Sequence, residues 1–130
     1  MEQLIRVLIA DDRQATRDGL RALLSLYPHV EVVGEAEDGQ AAVRLVSENQ
    51  PLLVLMDMQM PVMDGLEATQ HIKDRWPEVK IVALTIYPQY RTGALAAGAD
   101  LFLLKGDSPT YLHDAILSQV QSLAPHGDRG

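Results

Sequence analysis

Three features of the sequence predict a doubly wound α/β fold, a five-stranded parallel sheet between two layers of helices. Apolar runs alternate with amphipathic helical patterns five times along the 130 residues, the pattern of a parallel sheet joined by right-handed crossovers. The runs are apolar nearly throughout rather than at every second position, as in strands buried on both faces. Four of them stop at a reactive polar residue. Residues 5–10 run into Asp11 and Asp12, 52–56 into Asp57, 81–84 into Thr85, and 101–104 into Lys105. In a parallel sheet those stops share one edge, outside the carboxyl ends of the strands, where such folds place their chemistry.

The elements follow in order. Strands are predicted at 5–10, 30–35, 52–57, 80–85 and 101–104. Thr16, Leu20, Leu23, Leu24 and Tyr27 fall on one face of a first helix, and Val43 and Val46 mark a second. Leu66, Thr69, Ile72 and Trp76 mark a third, with Trp76 capping the core. A weaker fourth helix, about 90–97, ends at Gly98, a suitable residue just beyond a helix end. Ser108 and Pro109 read as N-cap and first position of a last helix carrying Leu112, Ala115, Ile116, Val120 and Leu123. Pro51 and Pro77 stop the helices before them. Residues 1–123 form one domain, and 124–130 read as a tail or the start of a linker.

Composition excludes several classes. The net charge of −7 argues against direct gripping of nucleic acid. With no cysteine there is no disulfide or thiolate metal site, which suits a reducing cytoplasm. Asp11 and Asp12 interrupt the only early apolar run, so neither a secretory leader nor a membrane span is expected. His29, His71, His113 and His126 lack metal-ligand spacing and are expected at the solvated surface. The methionines around Asp57 are expected in packing roles, and Gly34 to Gly39 lacks the spacing of a nucleotide-binding loop.

Asp11, Asp12 and Asp57 would bring three carboxylates to one edge. Two unscreened like charges at ~4 Å cost about 4 kcal/mol at an effective dielectric of 20. Such a cluster requires counter-charge. Lys105 supplies one charge, and oxygen-only ligands suit Mg²⁺ for the rest. An aspartate can attack phosphorus to give an acyl phosphate, and phosphoryl transfer needs mainly positioning and charge neutralisation.

The residues that carry a family resemblance are Asp11-Asp12, the segment Asp57-Met58-Gln59-Met60-Pro61-Val62-Met63-Asp64-Gly65, Leu84-Thr85, Ala97-Gly98-Ala99-Asp100 and Leu103-Leu104-Lys105. Over about residues 4–123 the chain resembles a response-regulator receiver domain of two-component signalling, of the kind that precedes a helix-turn-helix output domain. The resemblance implies a flavodoxin-like (βα)5 fold with strand order 2-1-3-4-5. It implies that Asp57 accepts a phosphoryl group from a sensor histidine kinase. It implies that Asp11, Asp12, Asp57 and the Gln59 backbone carbonyl hold Mg²⁺, Asp12 more directly than Asp11. Thr85 and Lys105 would contact the phosphoryl group. Thr85 would move inward on phosphorylation and let Phe102, the switch aromatic, turn inward behind it. Gln59, Ile86 and Tyr87 would tune phosphoryl lifetime, the bulk of Ile86 and Tyr87 slowing loss. Homodimers would use the fourth/fifth-helix or first/fifth-helix face, and the output would be transcriptional. Pro61 would fix the loop after the acceptor and Gly65 would permit a close chain approach.

Two departures stand out. The Thr85-to-Lys105 stretch is about two residues shorter than the family usually carries, with Pro88 and Gly93 weakening the helix; a short, late or partly disordered fourth helix is predicted. Gly106 follows Lys105 where many receivers have proline, leaving the isomer of that bond open. Other readings are a phosphate-insensitive interaction module and a Mg²⁺-dependent aspartyl-phosphate phosphatase. The phosphatase would need an acid where Gln59 stands and room for a cap insertion. On the leading reading the chain is no enzyme beyond self-catalysed phosphorylation and dephosphorylation.

Overall fold

The computed structural model describes residues 4–121. The predicted tail at 124–130 lies outside them. Parallel strands β1 (Ile5–Ala10), β2 (Val30–Ala36), β3 (Leu53–Met56), β4 (Lys80–Thr85) and β5 (Leu101–Leu104) form one sheet in the order β2-β1-β3-β4-β5. Five helices connect and cover them: α1 (Gln14–Leu24), α2 (Gly39–Asn49), α3 (Gly65–Arg75), α4 (Arg91–Ala96) and α5 (Pro109–Gln121). The predicted fold and strand order are those observed.

Both faces of the sheet are buried at the central strands β1, β3 and β4, which is why those strands are apolar nearly throughout. Leu8, Ala10, Val54, Met56, Ile81 and Ala83 face one core with Val46 and Ile72. Their chain neighbours Val7, Ile9, Leu53, Leu55 and Val82 face the other with Leu24, Leu112 and Ile116. Period-two alternation thus persists, between two apolar environments. Trp76 packs partly buried against the first core, as expected.

The starts of α2, α3 and α5 obey local chemistry. Asp38 caps α2 by accepting from the Ala41 N–H at 2.7 Å, and Asp64 caps α3 by accepting from the Glu67 N–H at 2.9 Å. The Ser108 hydroxyl accepts from the Thr110 N–H at 3.2 Å before Pro109 opens α5. Gly98, at φ +113°, ends α4 in the left-handed region where glycine costs least. A Cβ there would lie 2.9 Å from Lys73 Cγ.

That contact belongs to a knot at the far end of the sheet. Lys73 Nζ donates to the carbonyls of Pro77 (3.0 Å) and Val79 (2.9 Å) and to Asp100 (3.0 Å), and Asp100 also accepts from the Ile81 N–H (2.8 Å). The end of α3, the start of β4 and the turn before β5 are thereby joined.

Several expectations need correction. β3 stops at Met56, so Asp57 begins the loop, and β2 extends through Ala36. α1 ends at Leu24, so Tyr27 is not on its face; its ring stacks on His113 at 3.9 Å and 8°. His113 is therefore half-buried against an aromatic rather than solvated. The fourth helix is short, at six residues, but the chain already turns helically at Pro88 through a 3-10 turn, Pro88–Tyr90. The Lys105–Gly106 bond is trans.

Candidate functional site

Each site residue is held by the hydrogen-bond ladder continuing past a strand end. The Asp11 N–H donates to Ala36, that of Asp57 to Ala10, and that of Lys105 to Thr85, each at 2.9 Å. Three distant pieces of sequence are so fixed to one edge. Carboxylate oxygens of Asp11, Asp12 and Asp57 lie within 4.8 Å of one another. The Lys105 ammonium bridges the two buried acids, 2.5 Å from Asp11 and 3.2 Å from Asp57. Burial pushes the Asp57 carboxyl above its ordinary value of 3.8; the Lys105 charge pulls it down, and the Asp11 charge pushes it up. Asp12 is exposed.

The loop carrying Asp57 is clamped against its neighbours. Asp57 accepts from the Met58 N–H at 2.8 Å. The Gly65 N–H donates to the Met58 carbonyl at 2.9 Å, and a Cβ on Gly65 would fall 1.9 Å from the Asp57 carbonyl oxygen. The close approach expected of Gly65 is therefore sterically required. The Gly39 N–H ties Met63 at 2.8 Å. Between Pro61 and Met63 the chain makes a three-residue turn: the Met63 N–H donates to Pro61 at 2.7 Å, and Val62 sits at φ +69°. A β-branched residue pays for that conformation in steric strain.

Above Asp57 opens a small cavity of about 60 Å³, lined by Asp12, Arg13, Asp57, Gln59, Ile86, Tyr87 and Lys105. Gln59, Ile86 and Tyr87 thus reach the acceptor from two loops. Tyr87 packs edge-on against Tyr90, with ring centroids 6.1 Å apart. Thr85 is fully buried, and its hydroxyl accepts from the Tyr87 N–H at 3.3 Å. Phe102 departs from the expected outward start. It already lies inward, 8% exposed, in the first core, with the Arg91 guanidinium 5.9 Å from its ring centroid.

Sequence reasoning missed Arg17. On α1, only 8% exposed, it donates to the Asp11 carbonyl at 2.7 Å, to Glu35 at 3.1 Å and to Gln14 at 2.6 Å. Glu35 also holds Arg21 at 2.6 Å. A charge within the apolar stripe of Leu20 and Leu24, at spacings of three and seven, was the available signal.

The sequence pattern of the response regulator receiver domain matches residues 7–117. The chain belongs to this family. The receiver is 38% identical over 128 residues to the transcriptional regulatory protein DegU of Brevibacillus brevis, covering 97% of this chain and 52% of that protein. It is 42% identical over 120 residues to the transcriptional regulatory protein LiaR of Bacillus subtilis (strain 168), covering 87% and 54%. The receiver spans about half the length of these curated relatives. Among solved structures, it resembles a two-component response regulator of the LuxR family from Aurantimonas sp. SI85-9A1, with TM-score 0.88, 32% identity and coverage of 92% and 87%. It also resembles the receiver domain of AraT, a response regulator from Geobacillus stearothermophilus, with TM-score 0.84, 31% identity and coverage of 93% and 96%. No helix among the described residues is long and apolar enough to cross a membrane.

Proposed function

We propose that this receiver is a phospho-accepting switch that takes a phosphoryl group from a sensor histidine kinase onto Asp57. The carrying observation is the buried Asp57 carboxylate, 3.2 Å from Lys105, within a trio of acids. An all-oxygen donor set with one neighbouring ammonium fits Mg²⁺, held by Asp11, Asp12, Asp57 and the Gln59 carbonyl. Bound there, Mg²⁺ supplies charge neutralisation for phosphoryl transfer. Asp57 supplies the nucleophilic oxygen. Lys105, which lines the same cavity as Asp12, pairs with a phosphoryl oxygen. Thr85 gives up its bond from Tyr87 to meet another. The turn at 86–90 then repacks, a local charge change biasing a two-state element.

The output we propose is transcriptional, carried by a longer chain in the cytoplasm, with this domain making no direct nucleic-acid contact and dimerising through its α4/α5 or α1/α5 face. Chemistry is limited to self-phosphorylation and self-dephosphorylation. Ile86 and Tyr87, over the cavity, slow the loss of phosphate. The inward Phe102 favours one second reading, a module already in its output conformation and insensitive to phosphate.

One experiment separates the two. The receiver is incubated with Mg²⁺ and acetyl phosphate, and followed by mass and by NMR of residues 84–104. The switch predicts an added phosphoryl mass, lost in Asp57→Asn, together with shifts in that segment. Added mass without shifts supports the constitutive module; no added mass overturns the acceptor reading.

A further inference from the structure

Arg13 is misplaced by every local rule. It occupies the N-cap of α1 with extended backbone dihedrals, and its side chain makes no capping hydrogen bond. Ser, Thr, Asp or Asn at such a position would stabilise the helix, whereas a cation there opposes the helix dipole. No acidic residue in the first turn of α1 offsets it. Its backbone N–H, not its side chain, contacts Asp11. No ion pair of its guanidinium forms among the described residues. A residue that breaks local preference without a local partner marks a functional position. Arg13 instead lines the cavity above Asp57, together with Ile86 and Tyr87.

Charge shows what that placement serves. With the phosphoryl group attached, that group and the Asp11 and Asp12 carboxylates bring about four negative charges. A divalent cation and Lys105 return about three positive ones. One negative charge remains over, and Arg13 is the cation besides Lys105 that lines the cavity. A guanidinium also offers the paired donors that match phosphate oxygens.

We infer that Arg13 is a donor-binding residue that grips the phosphoryl group of small anionic phosphodonors as it enters the cavity. This rests on Asp57 being the acceptor. In the step it assists, an Asp57 carboxylate oxygen bonds to phosphorus while the bond from phosphorus to the acetyl oxygen of the donor breaks. Acetate leaves with that electron pair, and no proton moves. Arg13 acts before and during this step by holding the peripheral phosphoryl oxygens in line.

The test uses acetyl phosphate with the whole chain and Mg²⁺, measuring initial phosphorylation rates by mass across donor and salt concentrations, with melting temperatures alongside. Arg13→Ser supplies a good N-cap and removes the charge. It is expected to hold or raise the melting temperature while raising the apparent KM for acetyl phosphate about two- to fivefold, the upper part of the span an exposed charge contact gives. The difference should shrink at ~0.5 M salt. Arg13→Lys should recover most of the rate. Wild-type KM and wild-type salt dependence in Arg13→Ser would overturn the inference, as would a rate loss that merely tracks a lower melting temperature. No recovery in Arg13→Lys counts against the charge argument. If the wild type takes up no phosphoryl on Asp57, the acceptor reading and this inference fail together. If it does while Arg13→Ser matches it, only this inference fails.

Discussion

Lys105 is held 2.5 Å from Asp11, closer than to the carboxylate it is expected to serve. Its contact with Asp57 is looser, at 3.2 Å. The acceptor is thus buried with only part of one cation's attention, and Asp11 repels it. Burial is the largest influence on its carboxyl, followed by the opposing Lys105 charge and then Asp11.

Asp57→Asn is therefore expected to stabilise the metal-free fold. A carboxyl whose folded pKa is raised contributes stability that is fully present below its unfolded value and lost as pH rises through the folded one. At neutral pH the ionised Asp57 is a liability that asparagine removes. The gain should appear near pH ~7.5 as a higher melting temperature and vanish below the ordinary carboxylate range. Melts in EDTA between pH 4 and 8 check this; a gain independent of pH would refute the electrostatic cause.

Val62→Gly tests the turn after the acceptor. Left-handed backbone at a β-branched residue costs of order 1–3 kcal/mol, while glycine loses about 0.5–1 kcal/mol to chain entropy. Val62 is 76% exposed, so little packing is forfeited. Urea unfolding should show a net stabilisation of about 1 kcal/mol.

Thr69 is fully buried on α3, and its hydroxyl has no hydrogen-bond partner among the described residues. Thr69→Val keeps the shape and removes the unpaired polar group. A stabilisation of about 1 kcal/mol is expected by denaturant titration, against the usual direction for a fully buried substitution.

Arg17→Met should act twice. Removing the donor to the Asp11 carbonyl and one partner of Glu35 is expected to cost about 2 kcal/mol. Because the Asp11–Asp12 turn loses its brace, Mg²⁺ affinity measured calorimetrically should also fall. Unchanged affinity at reduced stability would confine Arg17 to a structural role.

These residues show what could be read from one dimension. The strands and most of the acidic edge were legible because four of the five apolar runs carry their own polar stop, and because Asp57 to Gly65 is a contiguous motif. Gly98 was equally local in meaning. The inward Phe102, the Tyr27–His113 stack and the Arg17–Glu35 pair were not legible. Each depends on what a chain segment far away in sequence presents across the gap, and no periodicity encodes that. Arg13 lay between: its oddness as a cap is visible in sequence only once the start of α1 is known.

The Lys73–Asp100 knot gives the molecule a fixed pivot. The base of β4 and the turn entering β5 are bolted to α3, and Gly98 is wedged against the Lys73 stem. The opposite end of β4 carries Thr85 and leads into the stretch from Ile86 to Tyr90, which holds only a 3-10 turn before α4. We expect motion started at the acid-lined edge to swing α4 about the Gly98 end, like a door on its jamb, rather than to slide it along the sheet, so a partner reading that swing would be most sensitive at Pro88 to Arg91.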